Sequence, residues 1–172
     1  MPLPLLAPGG ETMDLTEWTL TYVKNKDLLQ RKLQHHTQKG NTLTFHYKDR
    51  VHDYVIQETL SDCTRHKTGA PHLTFVCPAT PPNLNYILKN WKEIIQHKNL
   101  NLIFVNLQNQ DKWILHPATH HLIADEETLE LGLKSMFAQV AGLPLPPEPT
   151  RRKKEKMVED NEEEPEEESE EE

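Results

Sequence analysis

Residues 72–105 read HLTFVCPATPPNLNYILKNWKEIIQHKNLNLIFV, and this stretch decides the fold. His72 to Cys77 reads as a strand that Pro78 stops, since proline cannot donate to a ladder. Thr80 followed by Pro81-Pro82 is a natural helix entry, because proline in the first turn loses no intrahelical hydrogen bond. Leu84, Ile87, Leu88, Trp91, Ile94 and Ile95 then recur at helical spacing and predict a helix over 83–97 with a wide apolar stripe. It leads into a strand over 101–106, whose four consecutive apolar residues Leu102-Ile103-Phe104-Val105 suit burial on both faces. A strand, a helix and a strand in this order predict a right-handed crossover with the two strands parallel.

Working towards the N-terminus, residues 61–72 are polar and irregular and read as a surface loop. Thr42 to Tyr47 and Val51 to Glu58 both alternate with period two around the polar Lys48-Asp49-Arg50, which predicts an antiparallel hairpin. Asp14 with Glu17 three positions on has the form of a capping box, and Leu15, Trp18, Tyr22, Leu29 and Leu33 fall near one helical face. A helix over 14–36 is expected, ended by Lys39-Gly40-Asn41. Residues 1–11 are rich in Pro and Gly and read as a loose arm. Towards the C-terminus, Gln108 to Asp111 reverses the chain into Trp113-Ile114-Leu115, expected as an antiparallel neighbour. Asp125 is a good N-cap for a helix to about Val140, with Leu129, Leu133, Met136, Phe137 and Val140 inward and Glu126-Glu127 against the positive helix end. The order α-β-β-β-α-β-β-α places the chain in the mixed α/β (α+β) class, with helices packed on a mixed sheet in a single domain over residues 12–142.

Charge divides the chain differently. Of its 172 residues, 27 are Asp or Glu and 19 Lys or Arg, for a net charge of −8. Residues 143–172 hold 13 of those acids and 5 of the bases, so the whole excess belongs to them and residues 1–142 are neutral. All 10 histidines lie in that neutral part. Pro144-Leu145-Pro146-Pro147 reads as a stiff linker, Arg151 to Lys154 as a basic block, and Glu159 onward as nearly pure acid. With so little apolar surface, 143–172 is expected to be a disordered tail. No apolar run approaches the roughly 18 residues needed to cross a bilayer, and Met1 to Leu6 reads as neither anchor nor signal peptide. Two cysteines are too few for a disulfide framework and point to reduced thiols in an intracellular compartment. No glycine-rich phosphate loop and no nucleophile elbow is present.

Over residues 14–106 the element order resembles the core of restriction-endonuclease-like domains. In active members of that group an Asp early on the second strand and an E-x-K on the third hold a divalent metal. Asp53 stands at the first position here, but the third strand reads Leu73-Thr74-Phe75-Val76. The resemblance therefore implies the fold without its cation site.

Four groups of side chains could carry chemistry. His116, His120, His121 and Asp125 fall within ten residues and could ligate zinc or iron. Because Pro117 interrupts the spacing, the alternative is a structured connection in which Asp125 caps a helix. Cys63, His66, His72 and Cys77 form a chemically sound zinc set, against which Cys77 sits on a core strand with Leu73 and Phe75. His35-His36 at a helix end reads as ordinary stabilisation by the dipole, and Trp18, Trp91 and Trp113 as core. Nothing along the chain interleaves aromatic and basic residues as single-stranded nucleic acid would want. In the tail, Arg151, Arg152, Lys153 and Lys154 have the form of a nuclear-import signal, and Ser169 that of an acidophilic-kinase acceptor. Glu162, Glu163, Glu164, Glu166, Glu167 and Glu168 form a polyanion attracting basic partners.

The expectation is a non-catalytic, intracellular protein-interaction module, cytoplasmic or nuclear, without cofactor and without a membrane. Its acidic tail would engage a basic protein partner or maintain solubility. Two alternatives stand beside it. One is a metal-dependent hydrolase or nuclease-like enzyme using the His116 cluster, with Asp53 or Glu58 as acid or base. The other is a nucleic-acid accessory factor.

Overall fold

The structure is a computed structural model that describes residues 13–66 and 70–147. The chain has the expected mixed α/β architecture, built on a six-stranded sheet whose strand order is the order of the chain. Helix α1 spans Leu15–Asp27, and Asp14 caps it by accepting the Glu17 N–H at 2.8 Å. It stops nine residues short of the expected end. The Asp27 carboxylate accepts the Lys32 and Leu33 N–H groups at 3.1 and 2.8 Å and draws the chain back, helped by Arg31 in the left-handed region at φ 50°. Leu29, counted on the helical face, is 97% exposed. The remainder of that segment is strand β1 (Leu33–Lys39), and Gly40-Asn41 is a hairpin turn into β2 (Thr42–Tyr47) rather than a helix stop. Gly40, at φ 60°, occupies the first central position, where a type II′ turn needs a positive φ.

Strand β3 (Val51–Ile56) pairs antiparallel with β2. The chain then crosses over through residues 57–71 and returns as β4 (His72–Pro78), parallel to β3. The expected helix over 83–97 is broken in two, α2 (Pro81–Lys89) and α3 (Trp91–Ile94), at Asn90, whose side chain donates back to the Tyr86 carbonyl at 2.8 Å. β5 (Leu100–Asn106) lies parallel to β4, as the opening stretch of sequence predicts, and β6 (Asp111–Leu115) is its antiparallel neighbour. Two helices follow, α4 (Pro117–Ile123) and α5 (Glu126–Ala141). Asp125 caps α5 by accepting the Thr128 N–H at 2.8 Å, and Gly142 ends it at φ 68°. Among the described residues no helix is long and apolar enough to cross a membrane.

Period-two alternation divides the strands between two cores. Val55, Phe75, Cys77, Leu102, Phe104, Trp113 and Leu115 face Leu84 and Ile87 of α2, Leu133 and Phe137 of α5, and Leu60 and Cys63 of the crossover. Leu43, Phe45, Tyr54, Val76, Ile103 and Val105 face Leu15, Trp18 and Val23 of α1. Phe45, Phe75 and Phe104 are wholly buried, each worth roughly 1.5–3 kcal/mol of transfer free energy. Asn83, also wholly buried, fastens the crossover to α2: it accepts the Leu60 N–H at 2.8 Å and donates to the Glu58 and Pro78 carbonyls at 3.0 Å each.

Candidate functional site

The histidine cluster ahead of α5 is arranged by Pro117. Proline opens α4 instead of interrupting it, so His116 is the residue before the helix and His120 lies one turn on. The spacing that seemed to exclude a shared face creates one, and the two rings are nearly parallel with centroids 6.2 Å apart. Their near nitrogens are engaged: His116 Nδ1 lies 2.7 Å from Asn101 Oδ1, and His120 Nδ1 lies 3.1 Å from the His116 N–H and 2.9 Å from its carbonyl oxygen. Partial burial, then the neighbouring His120, pull the His116 pKa down. His121 is exposed on α4, and the Asp125 carboxylate is directed to the α5 cap. Among the described residues no three His, Cys, Asp or Glu side chains gather as a metal set.

The Cys63, His66, His72, Cys77 set is divided by the sheet. On β4 the side chains alternate, so Cys77 enters the α2/α5 core beside Phe75, while His72 and Thr74 project to the α1 face. His66 packs edge-on against Phe75 at 5.6 Å. Burial pushes the Cys63 thiol up to about 12 and raises Cys77 well above the usual thiol range, so both are inert protonated thiols. Asp53 accepts a hydrogen bond from the Thr44 hydroxyl at 2.6 Å, its register partner in β4 is Leu73, and Glu58 is exposed at the start of the crossover. Arg151, Arg152, Lys153, Lys154 and the glutamates at 162–164 and 166–168 lie outside the described residues, as does the arm over 1–11.

Two features that sequence reasoning missed emerge instead. The first is a cavity of about 250 Å³ between the C-terminal turn of α1 and the leading ends of β3 and β4. The parallel register sets His52 directly opposite His72, with ring centroids 5.7 Å apart. His52 stacks on Tyr54 at 4.5 Å and its Nε2 lies 2.7 Å from the hydroxyl of the buried Thr74. Burial, reinforced by His72, Arg50 and Lys26, lowers the His52 pKa to about 3, so this ring is neutral. Burial also raises the Tyr54 phenol, and raises Tyr47 against the opposing pull of Arg50. The Arg50 guanidinium lies over the Tyr47 ring at 4.8 Å, and the Lys26 and Lys112 ammonium groups flank Tyr22 at 5.9 and 5.5 Å. Two of these pairs are local, within α1 and across the β2–β3 turn, and folding adds Lys112 from β6 to them.

The second feature is the edge strand β1. Its outer edge is unpaired among the described residues, and Gln34 to Lys39 are all exposed. The other edge, β6, is shorter and begins with the exposed charges of Asp111 and Lys112, which guard it. No family model, no curated protein and no solved structure matches the chain, so the resemblance to restriction-endonuclease-like domains gains no support beyond the element order.

Proposed function

We propose that this chain is a non-catalytic protein-interaction module that takes up an extended partner segment by strand addition to β1, while its acidic tail engages basic regions of the same partner. The observation that carries the reading is the edge itself, unpaired among the described residues and exposed from Gln34 to Lys39 beside a firmly packed sheet. Lys39 and Thr42 flank a two-residue turn and so form a hydrogen-bonded pair; strict alternation from there turns the backbone N–H groups of His36 and Gln38 outward. A bulge between Leu33 and His35 leaves His35 to Lys39 as the regular stretch available for pairing. Backbone hydrogen bonds supply affinity in this mode and side chains supply choice. With His35, His36 and Lys39 and no carboxylate, the strand suits a segment that bears acids. Residues 151–154 would direct the complex to the nucleus.

The test is co-purification of the full chain. A stoichiometric partner should be held that is lost on Gln38→Pro, which removes one outward donor without touching the bonds to β2. It should be weakened by high salt or by changing Glu162, Glu163, Glu164, Glu166, Glu167 and Glu168 to Gln. A partner-free monomer, a partner indifferent to Gln38→Pro, or a β1-dependent dimer of this chain alone would each overturn the reading.

A further inference from the structure

We propose that the cavity between α1 and the leading ends of β3 and β4 is an anion site that takes the phosphoryl group of a small phosphate monoester. Its lining is a set of donors in search of acceptors. Lys26 forms no ion pair among the described residues. Arg50 is held by its stacking on Tyr47, which keeps the N–H groups of the guanidinium in their own plane, and its one ion pair among the described residues, to Asp49, is long at 3.9 Å. Asp49 is shared, its other oxygen taking Lys32 at 2.8 Å. Tyr47, Tyr54 and His72 add further polar hydrogens.

The acceptor side is short. Among the described residues Asp27 is the one carboxylate lining the cavity, and each of its oxygens accepts a backbone N–H, from Lys32 and from Leu33. His52 is neutral at any ordinary pH and already shares a hydrogen bond with Thr74, so it adds a polar edge without adding charge. Two cations and several neutral donors around one carboxylate turned to the backbone offer more hydrogen bonds than a carboxylate ligand could accept, and suit the three terminal oxygens of a phosphate. The aromatic walls and a volume of about 250 Å³ leave room for part of the group that carries it. This site lies on the α1 face of β3 and β4 and does not depend on what pairs with β1.

The experiment is an NMR titration of the full chain at fixed ionic strength, following the imidazole signals of His52 and His72. The probes are inorganic phosphate, adenosine 5′-monophosphate, glucose 6-phosphate and acetate. The three phosphates should shift the His72 signals saturably and acetate should not. Tighter binding of the nucleotide or of the sugar phosphate identifies the source of the phosphoryl group, and equal binding identifies the phosphoryl group alone. Arg50→Gln and Lys26→Gln should each weaken binding about tenfold or more, the loss of one charge-assisted hydrogen bond. Lys112→Gln, at a residue that does not line the cavity, should leave it unchanged. All three residues are exposed, so the variants keep the fold. Shifts that never saturate, an equal response to acetate, or an equal loss in Lys112→Gln would overturn the site in favour of a diffuse surface field.

Discussion

Replacing Asn83 with Ala isolates what holds the crossover between the two parallel strands β3 and β4. The side chain is wholly buried and makes three hydrogen bonds to backbone. Leu60, whose N–H it accepts, is itself only 3% exposed, so that donor is stranded and costs about 1–3 kcal/mol. The Glu58 carbonyl loses its partner, for about 0.5–1.5 kcal/mol, while the Pro78 carbonyl keeps the Thr80 N–H at 2.9 Å and loses less. The sum is about 3 kcal/mol, readable as a fall in the urea midpoint at unchanged slope. A local readout distinguishes this from general weakening. Cys63 lies on the crossover and Cys77 in the middle of the sheet, both buried. A disulfide exchange reagent at pH 8 should label Cys63 in Asn83→Ala at least about tenfold faster than it labels Cys77, because local opening exposes the Cys63 thiol while Cys77 waits for global unfolding. A loss below about 1 kcal/mol, or labelling of both thiols at the same rate, would refute the assignment of Asn83 as the fastener of this segment.

The neutral His52 makes stability depend on acid. An unfolded histidine takes a proton near 6.5 and the folded ring only near 3, so the unfolded chain binds more protons between those values. The contribution is complete above pH 6.5 and declines as the pH falls towards 3, by at most about 1.4 kcal/mol per unit, and His52→Gln should flatten that part of the urea-midpoint profile; an unchanged slope in the variant removes the assignment. Gly40→Ala forces a side chain into φ 60° and should cost about 1 kcal/mol, with faster amide exchange confined to β1 and β2. Exchange that rises throughout the sheet would show that the hairpin is not a local unit. Asp14→Ala removes the α1 cap and should lower stability by about 1 kcal/mol in thermal melts, and no loss would show the cap to be idle.

Most of the sheet was legible because its strands are buried. Leu102 to Val105 and the alternation in β2 carry strong apolar signals, and Asp125 and Asp14 cap the helices they were expected to cap. β1 was not legible because it buries almost nothing: a strand exposed on both faces leaves no apolar period to detect. Leu29 and Leu33 then supplied a false helical spacing, and Gly40-Asn41 satisfies a helix stop and a hairpin turn equally well. The hairpin reading needed only the observation that Thr42 to Tyr47 begins immediately after that pair. At the candidate sites, Cys77 reads correctly as core, but the face shared by His116 and His120 was misjudged by treating Pro117 as a breaker when it sits where a helix begins. His52 and His72 lie at the starts of two different strands and look unrelated along the chain. Only the parallel pairing of β3 with β4 brings them together, and the connection between those strands, irregular and polar in sequence, does not announce it.

The strand order β1 to β6 repeats the order of synthesis, so every strand leaving the ribosome finds its neighbour already made and the sheet can grow from one end without waiting for a distant partner. The exception is the surface of Phe104, Trp113 and Leu115, which stays uncovered until Phe137 arrives on the last helix. In a nascent chain that surface is the adhesive one, and the interval between residues 115 and 137 is when a chaperone would have most to hold.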